Sequence, residues 1–303
     1  MTLEQLRIFI AVAEREHMTQ AANALNLTQS AASAAIAALE SRHCVKLFDR
    51  VGRRIVLTSA GKAFLGEARA VLTRALAAEQ ALADLAGLKT GTLLLGASQT
   101  IGNYWLPPRL ARFARLYPGI SIKLIIGNTL QVAALAVDGG VDLGFVEGEV
   151  VEPSLTIEPI ADDELVVVMA PNASAPPQRP EKHWLMQMPW VTREKGSGTR
   201  AAFEAALQDF GVETSDRNIV LELPSNEAVR AAVEAGAGVA AISRLVVSAS
   251  IKAGSLTALS LALPRRQFFL LRHKERYQSL AAQTFVRMAE NYELLDAENA
   301  LAS

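Results

Sequence analysis

The sequence predicts an α/β protein in three parts: an all-α N-terminal domain carrying a small hairpin, one long helix, and a larger domain in which strands alternate with helices. Three observations carry this. Apolar residues recur at helical spacing in short segments up to about residue 42. A single apolar stripe then runs through residues 60–86 without a proline. From Gly91 onward, apolar runs of strand length alternate with amphipathic helical runs.

In the first part, Leu3, Leu6, Phe9, Ile10 and Ala13 form the buried stripe of one helix. Thr19 is the expected cap of a second, Gln20 to Leu25, with Ala21, Ala22 and Leu25 facing inward. After a turn at Asn26-Leu27, Thr28 caps a third helix to about Arg42, whose inner face is Ala32, Ile36 and Leu39. Two short helices joined so closely, and small enough at their alanines to pack tightly, describe a helix-turn-helix. Leu47 to Leu57, with Val51-Gly52 as its turn, reads as a hairpin with arginines at its tip, a wing.

Thr58 or Ser59 caps the long helix, where Leu65, Ala68, Leu72, Ala75, Leu82 and Ala86 follow the spacing of a coiled-coil seam interrupted by Glu79. Beyond it, strands are expected at Thr92–Ala97, Ile120–Leu124, Val141–Val146, Leu165–Met169, Trp190–Thr192, Ile219–Glu222 and Val239–Ile242. Helices are expected at Trp105–Leu116, up to Asp138, at 199–210 and at 225–235. That order implies βαβ units and a parallel sheet. Ala173 to Pro180 is a proline-rich surface loop.

Composition narrows the function classes. Half of the 303 residues are hydrophobic, a fifth are charged, and the net charge is −1, so the chain is not a uniformly basic nucleic-acid binder. Charge is uneven, however: Arg42, Lys46, Arg50, Arg53, Arg54 and Lys62 face only Asp49 within one segment, the mark of a phosphate-facing module joined to something else. The start, Met1-Thr-Leu-Glu-Gln-Leu6, has neither the basic region nor the apolar core of a signal peptide, and no segment is apolar enough for a membrane span. A single cysteine, Cys44, fits a reducing cytoplasm. His17, His43, His183 and His273 are scattered, without nucleophile or metal-ligand spacing, and there is no phosphate-loop or dinucleotide fingerprint, so neither an enzyme, a cofactor nor a metal is expected.

Several segments resemble the LysR-type transcriptional regulators: Leu3-x-x-Leu6-x-x-Phe9, Thr19-x-Ala21-Ala22-x-x-Leu25, Gln29-x-Ala31-x-Ser33, Leu39-Glu40, Leu47-Phe48-x-Arg50 and Leu57-Thr58-x-Ala60-Gly61. In the second half Leu106-Pro107, Phe113, Tyr117-Pro118 and Val141-Asp142-Leu143-Gly144 match as well. Ser98 to Tyr104, Gly144 to Gly148 and Arg193 to Arg200 are similar to the branch holding regulators of sulfur assimilation and sulfite response, the CysL and YeiE type, and related carbon-fixation regulators. The chain departs from the family at Ser30, where proline is usual, and at His43-Cys44, where Leu-Gly is usual. If that glycine has positive φ, Cys44 carries up to about 1 kcal/mol of local strain.

The resemblance implies a winged helix-turn-helix at 1–58, a linker and dimerisation helix at 59–88, and a two-lobed, periplasmic-binding-protein-like α/β effector domain at 89–303. Lobe I is then 89–161 with 269–303, lobe II is 165–263, and crossover strands lie near 161–168 and 264–271. Double-stranded DNA is the expected partner, contacted by Thr19, Gln29, Ser30, Ser33, Ala34, Arg50, Arg53 and Arg54. Glutamine and serine read base edges, alanine meets thymine methyls, and arginines suit phosphate or a narrow minor groove. A second copy is expected along the linker helix, as a dimer or a tetramer, with RNA polymerase a further candidate partner.

The effector site is expected beyond the carboxyl ends of the strands. Its candidates are Ser98, Thr100, Asn128, Glu147, Arg193, Ser197, Thr199 and Arg200, where hydroxyls, helix-opening amides and a glycine-rich turn suit a small anion. The branch points to a sulfite- or sulfate-like oxyanion or a small organic acid. Glu147 is expected to pair with Arg200 or Arg193, the other reading being that it accepts a proton-bearing ligand. A small-anion binding protein or an α/β enzyme without a DNA role is the alternative, opposed by the lack of a signal peptide and of a catalytic constellation.

Overall fold

A computed structural model describes residues 1–51, 54–85, 87, 90–171, 182–213, 218–261 and 263–292. They fall into two compact units, Met1–Leu82 and Ala83–Ser303.

The first unit holds α1 (Leu3–Arg15), α2 (Met18–Ala24), α3 (Gln29–His43), the antiparallel strands β1 (Phe48–Val51) and β2 (Arg54–Leu57), and most of α4 (Ser59–Leu85). Thr2 and Gln5 form a reciprocal cap on α1, and Thr28 caps α3 by accepting from the Ala31 amide at 3.2 Å. Thr19, the expected cap of α2, lies inside that helix. His17 caps it instead, its Nδ1 accepting from the Gln20 amide at 3.3 Å. Imidazole nitrogen does the work usually given to a hydroxyl, so a reading restricted to Ser, Thr, Asp and Asn starts the helix too late. Cys44 does end α3 in the left-handed region, at φ 51°.

Ala21, Ala22 and Ala32 are almost wholly buried and bring the helices close. Phe9 sits between Phe48 and Phe64, with ring centroids 5.3 and 5.0 Å away. Gly61 lets the start of α4 pass against the Leu47 carbonyl, which a Cβ at this position would overlap. The apolar stripe of α4 divides in two. Phe64, Leu65, Ala68 and Leu72 pack into this unit's own core, whereas Leu76, Leu82 and Leu85 are exposed. Ala86 lies outside the described residues.

Glu40, 8 % exposed, ties α3 to the wing. It accepts from the Leu47 and Phe48 amides at 2.8 and 3.2 Å and pairs with Lys46 at 2.7 Å. Burial acts to raise its pKa, but Lys46 and the two amides outweigh it and hold the carboxyl below its ordinary 4.5. A depressed folded pKa gives stability that is complete above the unfolded value and lost as pH falls through the folded one. Glu40→Ala should therefore cost about 1–3 kcal/mol near neutral pH by orphaning two amides. The penalty should shrink below about pH 4.5. Hydrogen exchange of the Leu47 and Phe48 amides at the two pH values checks this; unchanged protection near neutral pH would count against it.

The second unit contains two mixed five-stranded sheets. The first has the order β4-β3-β5-β12-β6, from β3 (Gly91–Ser98), β4 (Ile120–Gly127), β5 (Leu143–Glu147), β6 (Leu155–Asp163) and β12 (Arg266–His273). It is covered by α5 (Leu106–Leu116), a π-helical turn at Ile101–Trp105, α6 (Thr129–Asp138) and α11 (Leu280–Glu290). The second has the order β11-β7-β10-β8-β9, from β7 (Leu165–Met169), β8 (Trp190–Arg193), β9 (Ile219–Leu223), β10 (Val239–Ser243) and β11 (Thr257–Ala258). Its helices are α7 (Lys182–Gln187), α8 (Gly198–Asp209), α9 (Asn226–Glu234) and α10 (Arg244–Ala253).

The expected parallel sheets are corrected on this evidence. β12 runs antiparallel to β5 and β6, and β7 runs antiparallel to β10 and β11. The reason is the double crossover: the chain leaves the first sheet after Asp163, enters the second at Leu165, and returns at Arg266 reversed. Ala173 to Pro180 lie outside the described residues.

Candidate functional site

In each sheet one strand, second from an edge, has a parallel neighbour on either side: β3 lies between β4 and β5, and β8 between β9 and β10. Such a reversal of strand order opens a crevice at the carboxyl ends. There the first lobe places Ser98, Thr100, Asn128 and Glu147, and the second places Arg193, Ser197, Thr199 and Arg200. All eight expected residues lie in this region, but their partners differ from those expected.

Glu147 is 1 % exposed and does not pair with Arg193 or Arg200. Its carboxyl accepts the hydroxyls of Ser98, of Thr100 at 3.2 Å and of Thr199 at 3.4 Å. Burial raises its pKa, against the lowering field of Arg266 and the Thr100 hydroxyl. Both expected partners are satisfied elsewhere. The Arg193 guanidinium donates to Glu194 at 2.8 and 3.0 Å and to Asn226 Oδ1 at 2.6 Å. That of Arg200 donates to Glu204 at 2.9 Å, to Glu222 and to the Arg193 carbonyl. The next residue in the chain (Glu194), one helical turn on (Glu204) and the neighbouring strand β9 (Glu222) supply the carboxylates that take both guanidinium groups.

Asn128 caps α6 by accepting from the Gln131 amide at 3.0 Å, and its amide also donates to Glu194 of the other lobe at 3.3 Å. Thr129 donates to the Glu147 carbonyl at 2.7 Å. Ser197 starts α8 without a side-chain bond to the helix amides, leaving that N-terminus open to an acceptor. Gly198 follows, and a Cβ there would overlap the Glu147 carbonyl oxygen. Beside this contact lies a cavity of about 340 Å³ lined by Thr129, Gly148, Lys195, Ser197, Arg200 and Glu204, among others.

Three residues of the proposed site, Asn226, Asp163 and Arg266, were missed by sequence reasoning. Asn226, fully buried, donates to Thr100 at 3.0 Å while accepting from Arg193. The backbone N–H of Asn226 donates to Gln99 Oε1 at 3.0 Å. Arg266 pairs with buried Asp163 at 2.6 Å and donates to Thr199 at 3.1 Å. The adjacent charged residues Asp162-Asp163-Glu164 and Arg265-Arg266, each next to an apolar run, were the available signal.

In the first unit, α3 exposes Gln29, Ser30 and Ala34 and half-buries Ser33, opposite its packed face of Ala32, Ile36 and Leu39. Ser30 Oγ lies 3.0 Å from Thr28 Oγ1. Thr19 and Arg50 are also exposed. Arg53 and the side chain of Arg54 lie outside the described residues. Among the described residues no cluster of His, Cys, Asp or Glu is arranged to hold a metal, and no helix is long and apolar enough to cross a membrane.

Residues 3–62 match the family "Bacterial regulatory helix-turn-helix protein, lysR family", and residues 86–293 match "LysR substrate binding domain". The chain is 36 % identical over 288 residues to the "Uncharacterized HTH-type transcriptional regulator YeiE" of Escherichia coli K12, covering 94 % of this chain and 96 % of that protein. It is 33 % identical over 290 residues to a "Probable RuBisCO transcriptional regulator" of Cyanophora paradoxa, covering 94 % and 90 %. Among solved structures, CbnR, a LysR family transcriptional regulator, aligns with a TM-score of 0.70 at 23 % identity over 96 % of this chain and 99 % of its own. The regulatory domain of Synechocystis PCC6803 CcmR in complex with 2-PG aligns with a TM-score of 0.60 at 27 % identity, over 67 % and 97 %. These relatives are regulators, which sets aside the enzyme and the binding protein without a DNA role. The chain belongs to the LysR family: it is a DNA-binding transcriptional regulator with a winged helix-turn-helix and a two-lobed, periplasmic-binding-protein-like effector-binding domain.

Proposed function

We propose that this regulator senses a small anionic metabolite, a sulfite- or sulfate-like oxyanion or a small organic acid, in the crevice between its two lobes. One observation carries the reading: hydroxyls from both lobes, Ser98 and Thr100 from one and Thr199 from the other, converge on a single buried carboxyl group. Donors in that arrangement are complementary to an oxyanion. The α8 N-terminus at Ser197 adds unshared amides, and Asn128 closes one side. The paired guanidinium groups of Arg193 and Arg200 frame the crevice. CcmR, a structural relative, binds 2-phosphoglycolate, an anion of this kind.

Ligand that bridges the lobes changes their angle and so the spacing of DNA-binding heads in an oligomer. The exposed part of α4 (Leu76, Leu82, Leu85) offers a surface for a second copy, and a dimer of dimers would present heads to paired half-sites on cytoplasmic DNA. Base contacts fall to Gln29, Ser30, Ser33 and Ala34, with Thr19, Arg50, Arg53 and Arg54 on the phosphates or minor groove.

Calorimetric titration with sulfite, sulfate and a panel of small organic acids tests the sensor. A Thr100→Ala, Ser197→Ala protein should bind the wild-type ligand at least about tenfold more weakly, having lost two charge-assisted donors. Equal titration of the two proteins by every ligand would sink the proposal.

A further inference from the structure

Besides Ser98 and Thr100, the turn that follows β3 carries a second set of contacts to the other lobe. The Gln99 carboxamide spans two backbone groups there: its Nε2 donates to the Pro224 carbonyl at 2.8 Å, and its Oε1 accepts from the Asn226 N–H at 3.0 Å. Further along, the Asn103 carboxamide and the Tyr104 hydroxyl both donate to Glu227 Oε1, at 3.4 and 3.1 Å. Tyr104 also packs against the second lobe's apolar cluster of Val168, Val229, Ile242 and Val246, among others. Burial and the Glu227 charge raise the pKa of this phenol, so it stays a donor. The π-helical turn at Ile101–Trp105 makes the arrangement possible. In a regular α-helix, position i+5 stands about 140° round the axis from i, whereas a π-helical turn bonds i to i+5 and brings them nearer one face. Gln99 and Tyr104 are such a pair.

We propose that Gln99, Asn103 and Tyr104 form a clasp on Pro224–Glu227 that keeps the two lobes closed over the crevice when no ligand is present, with Tyr104 as its positioning residue. Its place in the fold supports this. The chain crosses between lobes from Asp163 to Leu165 and again into Arg266, on β6 and β12, with β5 between them and β3. Those crossovers hinge one side of the crevice, and the clasp ties the side away from them. The grip consists of a few polar contacts around one aromatic ring, so it opens without unfolding either sheet. Closure by the protein itself also holds the Asn226 carboxamide, which accepts from Arg193, against Thr100. A ligand then meets donors already in place, and its apparent affinity scales with the closed fraction. That last consequence rests on the crevice being the effector site; the clasp itself does not.

Hydrogen exchange of the full-length protein, without ligand, tests this at the Asn226 amide. As the first residue of α9 it has no partner within the helix, and its acceptor belongs to the other lobe, so it exchanges when the lobes part. The Ala228 amide is the internal control, because its acceptor is the Ser225 hydroxyl of the same lobe, 3.0 Å away. Mass spectrometry with fragmentation resolves the two. In wild type the Asn226 amide should be protected. An Asn103→Ala, Tyr104→Phe protein loses both donors to Glu227 but keeps the ring, and Glu227→Ala removes the acceptor from the other side. In each, Asn226 should exchange about tenfold faster, with Ala228 unchanged. Combining the substitutions should add nothing further, as for partners in one interaction. An unprotected Asn226 in wild type, unchanged Asn226 exchange in either variant, equal acceleration of Ala228, or additive effects in the combined protein overturns the proposal. Should Glu227→Ala fail to fold, the first-lobe substitutions decide alone, since they reach Asn226 only through the contact between lobes. With no ligand added, the outcome is independent of the titrations that test the sensor. A failed clasp leaves that reading standing, and a failed sensor leaves the clasp.

Discussion

Replacing Arg266 with methionine is expected to destabilise the C-terminal unit by about 3–5 kcal/mol, the cost of leaving a buried charge without its partner. The side chains of Arg266 and Asp163 are 6 % and 1 % exposed, and their closest atoms are 2.6 Å apart. Without the guanidinium, Asp163 keeps the Ser243 hydroxyl as its one side-chain hydrogen-bond donor among the described residues, and Thr199 loses the donor that orients it toward Glu147. Two effects should therefore appear together: a lower unfolding midpoint in urea and weaker effector binding. A companion Asp163→Leu, Arg266→Met protein separates packing from charge. Replacing both members with apolar residues removes the unpaired ion, so the double variant should be more stable than Arg266→Met alone. A loss under about 1 kcal/mol in the single variant would show that water or another group compensates Asp163.

Gly198→Ala is expected to weaken effector binding by roughly tenfold or more while leaving each lobe folded. A Cβ at this position would overlap the carbonyl oxygen of Glu147 and crowd the Thr129 hydroxyl. Backbone on one side and a buried threonine on the other cannot yield as a flexible side-chain tip would. The start of α8 must instead retreat from β5, taking Thr199 and Ser197 away from the first-lobe hydroxyls. Apparent affinity falls with the fraction of molecules still able to close, so a loss of roughly tenfold or more is expected. The substitution touches neither sheet's core, so the melting midpoint should move far less than in Arg266→Met. Wild-type calorimetry in Gly198→Ala would mean that this contact is not part of the binding-competent state.

Some of the architecture was open to inspection in the chain itself because its determinants are local. Helical spacing of Leu6, Phe9 and Ile10, the Thr28 cap, the short apolar runs of β5, β7 and β10, and the left-handed Cys44 each depend on residues a few positions apart. The strand ends of the proposed site were equally visible, since Ser98, Glu147 and Arg193 each end a strand. Where the local rule had an unusual solution, as with His17 capping α2, the reading erred by a residue or two.

What the tertiary structure alone decided is which groups neutralise which. Arg266 and Asp163 are separated by 103 positions and meet only because β12 returns antiparallel to β6. Asn226 joins Thr100 to Arg193 across the lobes, and the charges of Arg193 and Arg200 are taken by Glu194, Glu204 and Glu222 before Glu147 can claim them. By itself the sequence determined the family, the alternation of strands with helices and the strand ends that face the proposed ligand crevice, because periodicity, caps and motifs are short-range. Burial, charge pairing and the close approach at Gly198 depend on distances between remote segments. Whether Glu147 faces an arginine or three hydroxyls was therefore decided only once the two sheets were folded against each other.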